Sequence, residues 1–448
     1  MIKRLNKDLN KNLSNFGIRY YSSKKSLYDT PLPDPNGIEF KEYNSSDYFK
    51  FEIIHQSTKS NARVTKITTP HGEILQPNFV PVGTIGSIKF LDPVSTKAVG
   101  SQLMFVNTYH MIVNADLNEI EKVGGLHSFI NYQNPIITDS GGFQVFSMGH
   151  PERNGNTDTE GTDEDDEDFL NQNNLDLTKR ELKGMSGKKY PGSIVSITDD
   201  GVLFKSYKSQ EKITLSPESS IQYQKQLGAD IIVPFDELPP YHMDQNKIIQ
   251  SLHRTHHWEA RSLLQHIKDP RKQAIYNVIH GGVDVDLRKQ SIDYLCSLPF
   301  DGVGIGGSLG KDRKEMHSLL SQIIPMIPKD RPNHLLGIGD LESVLQIIPL
   351  GIDSFDSSYP TRAARHGSIL TSDGNRYLIK KSIYKSIHNE PLEKDCDCPT
   401  CKNYSKAYIH HLFKSNEQIF YTLATQHNLR AMAKIMKNQR DKIMANEI

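Results

Sequence analysis

Nowhere in the 448-residue chain does an apolar run approach the roughly 20 residues needed to cross a bilayer, which excludes membrane insertion by a helical span. Cysteine is scarce. There are four, with no secretory leader ahead of them, so a disulfide scaffold is excluded and a reducing compartment expected. Net charge is also absent, 53 Lys and Arg against 53 Asp and Glu, which taken whole argues against a nucleic-acid partner. That absence is a cancellation, however. Residues 151 to 170 hold nine acids and one Arg, and residues 1 to 25 hold seven bases and one acid. Without both segments the balance is about +2, with a surplus of Lys and Arg from Lys402 to Lys442, so a local basic face stays open.

The first stretch, MIKRLNKDLNKNLSNFGIRYYSSKKS, is rich in Lys, Arg, Asn and Ser and nearly free of acids. That composition fits a mitochondrial transit peptide over 1–25, with Arg19-Tyr20-Tyr21-Ser22 similar to a presequence cleavage pattern. A disordered Asn/Lys-rich tail in a cytoplasmic protein is the alternative. A polar linker is expected over 26–48, a catalytic domain over 49–380 and a helical subdomain over 381–448. The acidic segment within 149–192 reads as a disordered insertion.

From Phe49 onward one theme repeats: a short β-branched run, a polar or glycine-rich turn, then a helical pattern. LMFVNTYH, NPIITDSGG, ADIIVPFDE, AIYNVIHGG, FDGVGIGG, HLLGIGD and GIDSFD are such runs. Continuous apolar strands separated by helices mean buried parallel strands, and their number predicts an α/β fold, a closed (β/α)8 barrel. Ser216-Pro217 predicts a helix start and Gly228 its end.

The C-terminal strand ends of such a barrel carry its active site, and here they hold Asn107, Asp139, Asp236, His280, Gly307 and Asp356. One aspartate after a strand is an ordinary turn residue. Several on one face form a carboxylate-rich site, in which two acids divide nucleophilic and acid/base work while a third accepts from a ligand's N–H groups. An anomeric carbon is the natural target of such a pair.

TDSGGFQVFS at Thr138–Ser147, NTYH at Asn107–His110, LSPE at Leu215–Glu218 and FDSSYPTRAARHG from Phe355 resemble the tRNA-guanine transglycosylases. The resemblance runs from about Asn61 to the C-terminus, with one insertion. It implies replacement of the wobble guanine in tRNAs with a GUN anticodon (Tyr, His, Asn, Asp) by a 7-deazaguanine, queuine in eukaryotes or an aminomethyl precursor in bacteria. It further implies Asp356 as nucleophile, Asp139 as acid/base, and a base pocket of Asn107, Asp139, Ser140, Gly141, Gly142, Phe143, Asp236, His280 and Gly307. RNA contacts are implied for Gly337, Ile338, Gly339, Asp340, Leu341, Glu342 and Ser343, and for Thr361, Arg362, Ala363, Ala364 and Arg365. A homodimer, or a heterodimer with a related subunit, is also implied. The transit-like leader favours queuine as the inserted base. The chain departs from the family at His280, where Gln is usual, at Ser308, where Leu is common, and at Leu238-Pro239-Pro240, where bacterial members often have Cys.

Cys396, Cys398 and Cys401 form C-x-C-x-x-C and need a fourth ligand for tetrahedral zinc, with His410, His411 and His427 as candidates. Helical context and the family's T-x-H-N stretch select His427, giving a closed and therefore structural Zn²⁺ site. Two other functions compete: a non-catalytic tRNA-positioning subunit, and a glycoside hydrolase with a carboxylate pair. Retention of Asp139 and Asp356 opposes the first. The cysteine cluster and the arginines after Asp356 oppose the second.

Overall fold

The computed structural model describes residues 30–41, 43–149, 194–241 and 243–448. The expected leader, and all but the first residue of the expected insertion, lie outside the described residues.

Eight parallel strands make the central sheet: β1 Asn78–Pro81, β2 Met104–Val106, β3 Ile136–Thr138, β4 Ile231–Ile232, β5 Ala274–Ile279, β6 Gly302–Ile305, β7 Asn333–Leu335 and β8 Ser354–Ser357. Neighbours follow chain order from β2 to β8, and β8 returns to pair with β1, placing Asp356 opposite Val80. A parallel bridge between Val82 and Phe105 joins β1 to β2, with Gly83 N donating to Phe105 O at 2.8 Å. The fold is therefore the expected (β/α)8 barrel. Its first strand is the one that the sequence conceals, because prolines at 77 and 81 bracket it and proline argues against a central strand.

Side chains alternate along each strand as the pleat requires. Phe105, Ile137, Ile231, Ala274, Tyr276 and Val278 join one apolar cluster with Val80. Their neighbours Met104, Val106, Ile136, Ile232, Ile275 and Ile279 join another, together with helical residues such as Ile221, Leu263, Ile292 and Leu320. Phe49, Ile67 and Ile74 complete the first cluster; the latter two come from an antiparallel three-stranded sheet, Lys50–Gln56, Arg63–Thr69 and Gly72–Gln76, that precedes β1. The helix Pro217–Leu227 begins with Ser216 accepting from Ser219 N and ends on Gly228 at φ +68°, the cap pair that the sequence announces.

One device recurs at the N-terminal strand ends. Asp230, Asp301 and Asp353 each stand immediately before an even-numbered strand and accept the first free amide of the strand beside it. The donors are Ile136 N (2.9 Å), Ile275 N (2.7 Å) and Asn333 N (2.9 Å). Each carboxylate also takes a more distant partner. His71 and His127 meet Asp230, Tyr43 and Ser45 meet Asp301, and Arg63 meets Asp353 through Nε and Nη2 at 2.9 and 2.7 Å. The stretch expected as a linker thus lies on the barrel in its described part, where Phe40 also enters the core. The last helix, Ile419–Met444, packs on β1 and on the helix Tyr359–Arg365 that follows β8. Among the described residues, no helix is long and apolar enough to cross a membrane.

Asp353 is buried against Arg63, so Asp353→Ala leaves an unpaired guanidinium in the core. We expect a loss of about 3–5 kcal/mol in denaturant unfolding. A loss under 1 kcal/mol would mean that the pair is not structural.

Candidate active site

At the opposite end of the barrel the strands deliver a second set of acids. Asp139 directly follows β3 and is buried with four donors. Oδ1 accepts from Thr108 N (2.8 Å) and Gly141 N (3.2 Å), and Oδ2 from Asn107 Nδ2 (2.6 Å) and Gln144 Nε2 (2.9 Å). Burial outweighs those donors and pushes its carboxyl up to about 6. Gln144 was not singled out from sequence. TDSGGFQ carried the signal, since Gln144 lies in the first turn of the helix that starts at Gly142.

Asp236 stands beyond β4 and faces that turn. Ser140 Oγ donates to its Oδ1 at 3.0 Å, and His280 Nε2 lies 2.8 Å from its Oδ2. A Cβ on Gly142 would sit 2.9 Å from Asp236 O, so this close approach requires glycine. Gly307, after β6, has φ +76°, and a Cβ there would come within 2.9 Å of His280 Nδ1. Ser140, Gly142, Asp236, His280 and Gly307 therefore form one wall. Phe143, in the first turn of the helix after Asp139, is more than half exposed.

Two buried residues that sequence reasoning passed over support this wall and the nucleophile candidate. Arg288 donates to four carbonyl oxygens of the loops after β5 and β6: Ile279, Gly282, Gly306 and Ser308. Burial, with no acidic partner among the described residues, lowers its guanidinium to about 9, still charged at neutral pH. His334 lies between Ser354 Oγ (2.8 Å from Nδ1) and Asp356 Oδ1 (3.1 Å from Nε2), its ring 6.3 Å from that of Phe105 on β2. Gly337 N also donates to Asp356 Oδ1, at 2.8 Å. Among the described residues Asp356 Oδ2 has no hydrogen-bond partner, so the buried carboxylate is held by one oxygen and presents the other.

The expected RNA-contacting residues divide by burial. Gly339, Leu341, Ser343, Thr361, Ala363 and Ala364 are buried, whereas Gly337 and Glu342 are exposed and Ile338, Asp340, Arg362 and Arg365 partly so. Arg313 holds Asp340 at 3.0 Å and Glu342 at 2.6 Å.

Cys396, Cys398, Cys401 and His427 meet with all four donor atoms within 4.8 Å of one another, close enough to hold a metal. His427 Nδ1 lies 3.6, 3.7 and 3.3 Å from the three sulfurs, against about 3.6 Å for an N···S edge of a tetrahedral site at ordinary Zn–S and Zn–N bond lengths. The other nitrogen, Nε2, meets Leu370 O at 2.8 Å, which fixes Nδ1 as the ligand atom. Asn428, the next residue, donates to Pro360 O and Ser368 O, so the cluster is tied to both ends of the arginine-bearing helix. His410 Nδ1 pairs with Ile379 O instead.

The family model described as queuine tRNA-ribosyltransferase matches residues 57–180 and 167–448. The chain belongs to that family. It is 52% identical over 401 residues to the queuine tRNA-ribosyltransferase of Protochlamydia amoebophila, covering 90% of this chain and 97% of the relative. The proteins of that name from Chlamydia caviae and Chlamydia trachomatis are 46% and 45% identical over 400 and 401 residues, with 89% of this chain and 99% of each relative covered. Members of the family are pentosyltransferases, and the chain is an enzyme of that class. The relatives overturn one expectation. They are bacterial, and bacteria have no mitochondria, so the mitochondrial destination read from residues 1–25 does not stand and the cytoplasmic alternative is favoured.

Because Asp139 binds its proton more tightly in the folded protein than in the unfolded chain, its contribution to stability falls as pH rises from about 4 to 6 and stays low above that. The stability of wild type relative to Asp139→Asn is therefore expected to drop by up to about 3 kcal/mol between pH 4 and pH 7. A difference independent of pH in paired urea titrations would contradict the raised value.

Proposed function

We propose that the chain exchanges the wobble guanine of GUN-anticodon tRNAs for queuine by double displacement at Asp356. The observation that carries the reading is the one-sided hold on that carboxylate: His334 and Gly337 fix Oδ1, and Oδ2 has no partner among the described residues. Oδ2 attacks the ribose C1′. As the O–C1′ bond forms, the C1′–N9 bond breaks, its electron pair goes to the departing guanine, and that base takes a proton from Asp139. The incoming base then gives a proton to the Asp139 carboxylate as its nitrogen attacks C1′ and Asp356 leaves. A group with a pKa near 6 can hold or release a proton at neutral pH, as both half-reactions require. Its Oδ1 is held by backbone amides and its Oδ2 by the side chains of Asn107 and Gln144, so Oδ2 is the oxygen that can exchange a donor for the substrate's proton.

Asp236 then accepts from the adjacent N–H groups of the purine edge, and Phe143 supplies a ring for the base to stack on. His280 takes the place of the family's usual Gln beside the base carbonyl. Arg362 and Arg365, with the exposed loop at Gly337, grip the anticodon strand. Queuine rests on the relatives' name, since the leader no longer supports it. The metal is proposed to be structural zinc, held by Cys396, Cys398, Cys401 and His427, which would fix the segment from Pro360 to Leu370 and so the arginines.

Purified protein is expected to incorporate labelled guanine into tRNA-Tyr transcript, and Asp356→Asn to lower the rate by at least about 10³-fold. Full exchange by the variant would sink the mechanism. Free queuine should compete better than the aminomethyl precursor; the reverse order would overturn the assigned base. Metal analysis should find one zinc per chain, and Cys398→Ser should lose it along with tRNA affinity. Unchanged tRNA binding by the metal-free variant would remove the coupling to the arginine helix.

A further inference from the structure

Arg288 is buried, carries a full charge, and belongs to none of the steps above. It sits in the first turns of the helix Val285–Leu295 that follows β5, pointing back beneath the base wall. Four of its five N–H groups donate, and each of the four meets a carbonyl. Nη1 donates to Ile279 O at 2.6 Å and Gly306 O at 2.8 Å, Nη2 to Ser308 O at 2.9 Å, and Nε to Gly282 O at 2.8 Å. These acceptors bracket two short segments, His280-Gly281 on one side and Gly307 on the other. The carbonyl of Gly306 belongs to the same peptide group as the N–H of Gly307. That N–H has no acceptor among the described residues.

We propose that Arg288 is a positioning residue for the base, a cationic clamp that locks the His280 and Gly307 loops together and polarises the 306–307 peptide so that Gly307 N–H binds the purine carbonyl more strongly. The identity of the ligand as a purine rests on the transglycosylase reading. A cation hydrogen-bonded to a peptide oxygen draws electron density away from the nitrogen and strengthens the hydrogen bond that the N–H donates, an effect enlarged in a low-dielectric interior. Charge develops on the purine as its bond to ribose breaks, so a polarised donor aimed at its carbonyl acts when it is needed. The clamp also accounts for the cost of the site. A lone buried guanidinium is tolerated because four carbonyls solvate it, and among the described residues no carboxylate pairs with it. Lysine cannot reproduce the forked geometry across two loops.

The test uses full-length Arg288→Lys and Arg288→Gln, assayed for KM toward free guanine, KM toward tRNA and kcat. The expected outcome is a KM for guanine raised about 10-fold or more, with KM for tRNA within about 2-fold of wild type. A merely structural arginine would instead lower the fraction of active enzyme and leave both KM values alone, and that result in either variant would overturn the proposal. Should both variants fail to fold, wild type still decides. Guanine binding must slow hydrogen exchange in the peptide spanning Gly302 to Leu309, and no slowing there would also overturn it. If wild type exchanges no guanine in tRNA yet guanine protects that peptide, the transglycosylase reading fails while the clamp on a purine stands.

Discussion

A carboxylate taken out of water must be met by donors, and this requirement shapes both ends of the barrel. At the N-terminal end Asp230, Asp301 and Asp353 have both oxygens occupied by strand amides and distant side chains, so they tie one strand to the next and to the chain before β1. At the C-terminal end the same rule is met fully at Asp139 and incompletely at Asp356. Asp356 has one oxygen held and one without a partner among the described residues, and Asp139 takes two of its four donors from the side chains of Asn107 and Gln144. Asp356 thus differs from the N-terminal acids in how many of its oxygens are held, and Asp139 in taking amide side chains among its donors, not in the kind of acid used.

The arrangement also couples distant parts of the chain. Closure of β8 onto β1 puts Asp356 beside Val80, while the histidine that orients it comes from β7 and stacks toward β2. The cysteine cluster reaches the same region from outside, through His427 to Leu370 and Asn428 to Pro360. A metal there would stiffen the helix that carries Arg362 and Arg365 without approaching the reacting atoms.

Much of this was legible in the sequence where the signal was local. Strand-ending acids such as Asp139 and Asp356, the Ser216 and Gly228 caps and the C-x-C-x-x-C run lie within a few residues of what defines them. What escaped reading depends on contacts across the chain. Arg63 and Asp353 are 290 residues apart, and nothing near either one marks the pair. His334 looks like one polar residue in an apolar strand until β8 is laid beside it, and Arg288 like an ordinary helical arginine until its carbonyl acceptors are known. β1 was hidden for a local reason, its flanking prolines. The leader misled because a basic, acid-poor composition suits a transit peptide and an unselective tail alike, and only the bacterial relatives separate them.

The central claim is that Asp356 Oδ2 becomes bonded to the ribose. Mixing the enzyme with a tRNA-Tyr transcript, quenching in denaturant, digesting with nuclease and protease and mapping the product by mass spectrometry tests it directly. The account predicts a ribose-containing adduct on the peptide carrying Asp356, dependent on tRNA and lost on adding guanine before the quench. An adduct on Asp139 or Asp236, or exchange proceeding with no adduct at any time point, would contradict it.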